Sequence, residues 1–174
     1  EKTVMLSRGD LEIFCKQTEP DFGDIRRVVL SVHGIGGSTE DPIQTSIAEE
    51  MEIFSSAIIR FDFPVHGQSP HTDEFFTLEN CRQSLMAAAE YAKQQYPEVE
   101  DLCIFATGFG AFVTLVALED LRQIQPDLKL VLQTPDLSMA HTLLNMVNMT
   151  EEAFRDAGRR RPASSERPCR RACA

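Results

Sequence analysis

Long apolar runs are missing from this 174-residue sequence. No stretch of about 18 consecutive apolar residues occurs, which excludes a membrane-spanning helix. Basic residues are scarce, since 17 Lys and Arg stand against 27 Asp and Glu and the formal net charge is -10. Because an acidic surface repels phosphate backbones, the body of the protein is not expected to bind nucleic acid. No apolar segment of a signal peptide is visible, so we expect a cytoplasmic protein.

Paired cysteines are also lacking. The five Cys residues make an odd number, which together with the missing signal peptide argues against a secreted disulfide framework. Cys169 and Cys173 lie four residues apart, but no His and no second Cys pair accompanies them, so a zinc site is not predicted. The sequence indicates no metal and no organic cofactor.

The remaining composition, with 43% apolar and 25% charged residues, is that of a globular protein with one core. Its charge is uneven, since residues 155–174 contain seven Arg and only two acidic residues. No Lys follows Lys129, which is unusual for a selected basic patch. We interpret residues 158–174 as an irregular Arg-rich tail left by out-of-frame translation or truncation. The alternative is that this tail docks an acidic partner, a membrane or RNA.

Four apolar runs are typical of strands that are buried on both faces of a parallel sheet: residues 28–32, 57–63, 102–106 and 128–132. A hairpin over residues 3–15 precedes them. Helical patterns separate the strands. The alternation predicts an α/β fold, with a mostly parallel sheet, helices on both faces and an N-terminal antiparallel hairpin.

The helices between these strands have recognisable starts. Asp41-Pro42 marks the beginning of the first, with Gln44 at the position that completes a capping box. The second starts after Thr77 and has Leu78 on its apolar face. The third, residues 109–121, is apolar nearly all round, which predicts an enclosed helix.

Three loops follow the strands, and right-handed crossovers bring them to the edge of the sheet where ligands bind. The first begins with His33-Gly34. The second, DFPVHGQS at residues 62–69, is similar to D-x-x-G-H-G-x-S, with Val65 in place of a Gly. The third, ATGFG at residues 106–110, lies between a strand and an apolar helix. Together they resemble the N-terminal portion of the α/β-hydrolase family, in its esterase, lipase and serine-aminopeptidase-like branch.

The resemblance assigns the nucleophile position to Gly108, because Ala106 is the small residue and Gly110 the closing glycine of the family's nucleophile elbow. A glycine has no oxygen that could attack a carbonyl. It adopts the strained backbone of this turn easily, so the turn is expected to persist without its attacking group. Thr107 should point away along the strand, and Cys103 lies inside an apolar strand, so neither is expected to replace the nucleophile.

The resemblance also implies roles for residues around the elbow. The backbone amides of Ile35 and Phe109 would form the oxyanion hole, which needs only N–H groups. The remaining candidate residues are expected to line the site or to brace its loops, and they are His33, Gly34, Asp62, His66 and Ser69. The chemistry of the family needs no cofactor.

The acid and the histidine of a catalytic triad are not found. In the family they follow later strands, whereas here residues 137–157 resemble the start of a lid and residues 158–174 supply neither group. We therefore predict a truncated hydrolase core over residues 1–136. Residues 128–132 would then form an exposed apolar edge, which predicts self-association.

Two interpretations of the function stay open. In the first, the chain is a disabled copy or fragment of a hydrolase whose intact relatives cleave small acyl esters or amides through an acyl-enzyme. In the second, it is a non-catalytic module that keeps the pocket and binds a small carboxylate or acyl ligand at the oxyanion amides.

Overall fold

A computed structural model describes residues 1–138, 150 and 152 of the chain. Glu1–Leu137 form one compact unit. The predicted Arg-rich tail and nearly all of the predicted lid lie outside the described residues. The described elements, in chain order, are β1 (Lys2–Arg8), β2 (Leu11–Thr18), β3 (Arg27–Val32), α1 (Pro42–Glu52), β4 (Ser56–Phe61), a 3-10 turn (Asp73–Phe75), α2 (Leu78–Gln95), β5 (Asp101–Thr107), α3 (Gly108–Val116), α4 (Leu118–Ile124) and β6 (Lys129–Gln133).

The described strands form one six-stranded sheet in the order β1-β2-β4-β3-β5-β6. The strands β4, β3, β5 and β6 are parallel to one another, whereas β1 pairs antiparallel with β2, and β2 pairs antiparallel with β4. Val32 at the end of β3 pairs with Phe61 of β4 and with Ala106 of β5, so three strands end at nearly the same level. The predicted mostly parallel sheet with an antiparallel hairpin is therefore confirmed.

Helices cover both faces of this sheet. On one face Val29 and Ile58 pack with Ala48 of α1 in the hydrophobic core. Side chains alternate along a strand, so Val32 points to the other face. There Gly110 of α3 lies so close to Val32 that an added Cβ would be 2.9 Å from its Cγ1. The prediction of helices on both faces is confirmed.

Helix α1 begins at Pro42 as predicted, but its capping box does not form. Asp41 makes no side-chain cap hydrogen bond. Gln44 is buried, and its Oε1 accepts a hydrogen bond from Ser31 Oγ at 2.5 Å. The buried hydroxyl of β3 needs a partner, and the Gln44 side chain turns inward to supply it.

The start of α2 agrees with the cap prediction, because the Thr77 hydroxyl accepts a hydrogen bond from Asn80 N–H at 3.1 Å. Its buried face begins one turn later than predicted. Leu78 is exposed, and the first buried residue of the helix is Cys81.

The predicted helix 109–121 is two helices in the structure. α3 ends at Val116, and Ala117, with φ -86° and ψ 0°, leads into α4. Ala117 and Leu121, four residues apart, are buried, whereas Val116 faces solvent and is 45% exposed. The prediction of one fully enclosed helix is wrong.

Strand β6 lies within one residue of its predicted position, but its burial differs from the prediction. It occupies the edge of the described sheet, and its residues alternate between exposed and half-buried. Val131 is 52% exposed. An apolar run predicts a strand, whereas its burial depends on which elements cover it.

Candidate functional site

Four loops meet at the carboxyl edge of the parallel strands. A Cβ added to Gly34, in the loop after β3, would lie 3.5 Å from Thr107 O and 4.0 Å from the Phe109 nitrogen. Asp136, in the loop after β6, donates its backbone N–H to Gly108 O at 3.2 Å. The loops after β3 and β6 therefore both contact the turn that joins β5 to α3.

Two glycines shape this turn for different reasons. Gly108 has φ +49°, in the left-handed region that glycine adopts without strain. A Cβ there would lie 3.6 Å from Asp136 Oδ2 and 3.9 Å from Gly34 Cα, which are ordinary contact distances. Gly110 allows no Cβ, because one would overlap with His33 O. Glycine is therefore favoured at residue 108 by the backbone angle and at residue 110 by the close packing against His33.

The amides of Ile35 and Phe109 both belong to this junction. Among the described residues, no acceptor is hydrogen-bonded to either N–H group. The Phe109 N–H lies in the first turn of α3, where the helix itself supplies no acceptor and its dipole favours negative charge. The pair could stabilise an oxygen that carries partial negative charge, which is what the predicted oxyanion hole requires.

His33 connects the loops after β3 and β4. Its Nε2 accepts a hydrogen bond from Phe63 N–H at 3.0 Å, and its Nδ1 lies 2.7 Å from Gly34 O. A neutral ring protonated on Nδ1 satisfies both partners. Burial lowers the pKa of His33 to about 4, although the hydrogen bond to Gly34 acts in the opposite direction. The ring is therefore neutral at pH 7, and both of its nitrogens are engaged.

His66 also connects the loops after β3 and β4. Its Nε2 accepts a hydrogen bond from Gly36 N–H at 3.0 Å, and its Nδ1 lies 2.9 Å from Pro64 O. The ring packs against Phe76, with 5.0 Å between centroids, and Phe76 lies 5.6 Å from the ring of Phe109. These rings form an aromatic wall beside the elbow.

Asp62 holds the loop after β4 from inside. Its Oδ1 accepts a hydrogen bond from Thr39 N–H at 2.6 Å, and its Oδ2 accepts one from Gln68 N–H at 2.8 Å. The carboxylate is fully buried. Burial raises the pKa of Asp62, and these hydrogen bonds oppose the rise. Ser69 Oγ donates to Asp62 O at 2.8 Å. A Cβ on Gly67 would overlap with the Asp62 carboxylate, so this loop closes around the acid.

Val65, which stands where the related motif has a glycine, has φ +70°. A β-branched residue rarely adopts this conformation, because its side chain crowds the backbone. The hydrogen bond from His66 N–H to Phe63 O, at 3.0 Å, closes the turn on either side of it. Val65 therefore holds a strained backbone conformation that a glycine would adopt freely.

Sequence reasoning did not single out Asp136. Its half-buried carboxylate lies 3.6 Å from the position that a Cβ of residue 108 would occupy. The residue follows the fourth parallel strand, and the carboxyl edge of such strands is where ligands bind. That rule, applied to β6 as it was to the other three strands, would have included Asp136 among the candidates.

The two side chains weighed as substitute nucleophiles have other surroundings. Thr107 Oγ1 is directed toward Val32 O, at 3.5 Å, along the neighbouring strand. Cys103 packs beside the α1 face of the sheet, and burial raises the pKa of its thiol. Neither is suited to attack a carbonyl at the turn.

Metal and membrane functions find no support in the part of the chain that the structure describes. No group of three or more His, Cys, Asp or Glu side chains there could hold a metal ion. None of its helices has the length and apolar character needed to cross a bilayer.

No protein-family model matches the sequence, and no curated protein matches it. Solved structures do match. Est1E from Butyrivibrio proteoclasticus, with bound ferulic acid, is 20% identical with a TM-score of 0.64 over 72% of this chain and 50% of that one. An esterase from Pyrococcus furiosus is 17% identical, with a TM-score of 0.66 over 90% of this chain and 60% of that one. An α/β serine hydrolase without lid from Xanthomonas campestris is 19% identical, with a TM-score of 0.58 over 94% and 96%.

The chain spans half the length of the Est1E structure. Identities of 20% and below show a shared fold and leave the activity open. The strand order, the mostly parallel sheet and the helices on both faces agree with that fold. The chain therefore has the α/β-hydrolase fold.

Proposed function

We propose that the chain is related to carboxylic ester and amide hydrolases and does not itself form an acyl-enzyme. The observation that carries this proposal is Gly108, in the left-handed conformation between β5 and α3. In serine hydrolases of this fold, the same position supplies the hydroxyl that attacks the carbonyl. Gly108 provides the backbone turn and no attacking atom.

The described histidines also supply no base. His33 and His66 use both ring nitrogens in contacts with the loop backbone. His71 accepts a hydrogen bond from Glu12 N–H of β2, at 2.9 Å. A hydroxyl without an adjacent base is a weak nucleophile. A serine at residue 108 would therefore have no described histidine to activate it.

Covalent labelling with a fluorophosphonate, followed by mass spectrometry, tests this proposal. The unmodified chain and the control variant Gly108→Ala should form no adduct. The unmodified chain and Gly108→Ala should hydrolyse p-nitrophenyl butyrate at the same rate as each other. Gly108→Ser should gain at most slow labelling, because the hydroxyl lacks a base. Stoichiometric labelling of the unmodified chain would contradict the proposal.

Binding of a small acyl or carboxylate ligand without turnover is a second candidate function. It is favoured by the amides of Ile35 and Phe109, for which no acceptor is found among the described residues, and by the approach of Gly34 to the turn at Gly108. A ligand oxygen could accept hydrogen bonds from both. The aromatic wall would contact the apolar part of the ligand.

An NMR titration tests this second function. Addition of butyramide or butyrate should shift the amide resonances of Ile35 and Phe109 in a saturable way. Ile35→Pro removes one N–H donor and should weaken binding, whereas the control Ile35→Ala keeps the donor and should bind nearly as well as the unmodified chain. If neither ligand shifts these resonances at high concentration, the binding function is refuted.

A further inference from the structure

We propose that the ring of Phe76 makes the site at the elbow selective for aromatic acyl ligands, in which a carbonyl group is attached to a planar ring, over aliphatic ligands of the same size. The inference rests on the proposed binding function and names the ligand class of that site. The observation behind it is the place of Phe76 in the aromatic wall. Its ring centroid lies 5.0 Å from that of His66 and 5.6 Å from that of Phe109.

Both neighbours of Phe76 in this wall are tied to the proposed oxyanion donors. His66 Nε2 accepts a hydrogen bond from Gly36 N–H at 3.0 Å, and Gly36 follows Ile35 in the loop after β3. Phe109 itself carries the second N–H group, in the first turn of α3. A ligand oxygen shared by the two amides would therefore bring the group attached to its carbonyl carbon close to the Phe76 ring.

Part of the Phe76 ring is open to a ligand. Phe76 is 37% exposed, whereas Phe109 is 5% exposed and belongs to the core. The ring planes of His66 and Phe109 are tilted by 50° and 57° against that of Phe76. Among the described residues, no ring is therefore stacked flat on Phe76. A planar ligand ring could take an offset-stacked or edge-on position there, which are the arrangements that aromatic pairs prefer.

The chain around Phe76 is held in place by hydrogen bonds. The Phe76 N–H donates to Asp73 O at 3.1 Å, which closes the 3-10 turn. Asn80 Nδ2 of α2 donates to Phe75 O at 2.9 Å, so the turn is tied to the helix that follows it. The ring of His71 stacks on that of Phe75, with 4.5 Å between the centroids. A ring on an ordered segment loses little conformational entropy when a ligand binds, which favours affinity.

An aromatic ligand gains more from this arrangement than a saturated one. Benzamide and cyclohexanecarboxamide carry the same neutral carboxamide group on rings with equal numbers of carbon atoms. The oxyanion amides and the burial of apolar surface therefore distinguish them little. Only the flat ring of benzamide can form the aromatic pair contact with Phe76, which depends on the charge distribution of both rings. We expect benzamide to bind about threefold to tenfold more tightly, the range typical of such contacts.

The test uses the full chain and compares the dissociation constants of benzamide and cyclohexanecarboxamide by NMR titration at pH 7. Phe76→Leu keeps an apolar side chain and removes the ring. It should weaken the binding of benzamide and leave that of cyclohexanecarboxamide nearly unchanged, so that the preference falls below about twofold. Phe76→Tyr keeps the ring and should keep the preference. The control Phe22→Leu, at a 90% exposed side chain in the loop before β3, should leave the preference unchanged.

The outcomes separate this inference from the function on which it rests. Equal or tighter binding of cyclohexanecarboxamide by the unmodified chain refutes the inference and supports the binding function. A preference for benzamide that survives in Phe76→Leu also refutes the inference, because the Phe76 ring would then not be the cause. If Phe76→Leu weakens both ligands equally, the role of the residue is structural and the inference is refuted.

The ligands of the earlier titration complete the separation. If butyramide or butyrate shifts the amide resonances of Ile35 and Phe109 but neither cyclic ligand does, only the inference is refuted. If none of the four ligands shifts them, the binding function and the inference are refuted together.

Discussion

Val65 has a left-handed backbone, and we predict that it reverses the usual order of stability between alanine and glycine. Glycine should be more stabilising than alanine at this position. Residue 65 has φ +70°, and an L-residue there is destabilised by roughly 1–2 kcal/mol relative to glycine. Glycine also gives the unfolded chain more conformational entropy than alanine does, which offsets roughly 0.4–1 kcal/mol of this advantage. The expected net advantage of Val65→Gly over Val65→Ala is about 0.5–1 kcal/mol.

The comparison of two variants isolates the backbone effect. Val65 is only 37% exposed, so either substitution loses some apolar burial, and this loss largely cancels between Gly and Ala. The free energy of unfolding can be measured by urea denaturation followed by far-UV circular dichroism, since the chain has no Trp for fluorescence.

Val116 provides a matched control. It is also a partly exposed valine, but it is the last residue of α3. There alanine should be the more stable by up to about 1 kcal/mol, because glycine is a poor helix former. The two Gly-minus-Ala differences should therefore have opposite signs. If Val65→Gly is less stable than Val65→Ala by as much as the Val116 pair differs, the strain argument is refuted.

Three further predictions concern packing, pH and assembly. Gly110→Ala should destabilise the chain by roughly 1–3 kcal/mol or more, because a Cβ would overlap with His33 O, and an unchanged Tm would contradict this. Because burial lowers the pKa of His33 to about 4, the unfolded chain takes up the proton first as the pH falls. The contribution of this residue to stability is complete above roughly pH 6.5 and is lost toward pH 4, by up to roughly 3 kcal/mol. His33→Gln should flatten this pH dependence of urea midpoints, and an equal slope in both proteins would refute the assignment. Val131→Lys should reduce self-association through the exposed edge strand β6. If light scattering shows that the unmodified chain is a monomer at all concentrations, no such association occurs.

The sequence predicted the sheet well because the runs that became β3, β4 and β5 are rich in apolar residues. β3 and β4 are buried along nearly their whole length, as is typical of central strands in a parallel sheet. The loop motifs then followed from chain order, since parallel strands bring their carboxyl ends to one edge. The placements of Gly34, Asp62 and Gly108 at that edge required no knowledge of contacts.

The features that sequence reasoning missed depend on tertiary neighbours. Gln44 occupies a capping-box position, but a buried hydroxyl on β3 accounts for its orientation. Val116 has the residue type of a core position, yet it lies on the solvent side of α3, because no described element covers that side. The rule for the carboxyl edge of the sheet could have named Asp136 as a candidate, but its distance from Gly108 follows from the pairing of β6 with β5.

The hydrogen bonds that hold the site involve no side-chain atom of residue 108. His33 joins the loops after β3 and β4, and the buried carboxylate of Asp62 binds the amides of Thr39 and Gln68. These hydrogen bonds are directed mainly to the backbone, so they define the loop geometry with or without a nucleophile. In the function proposed above, a glycine at the elbow removes the attacking group and leaves these contacts in place.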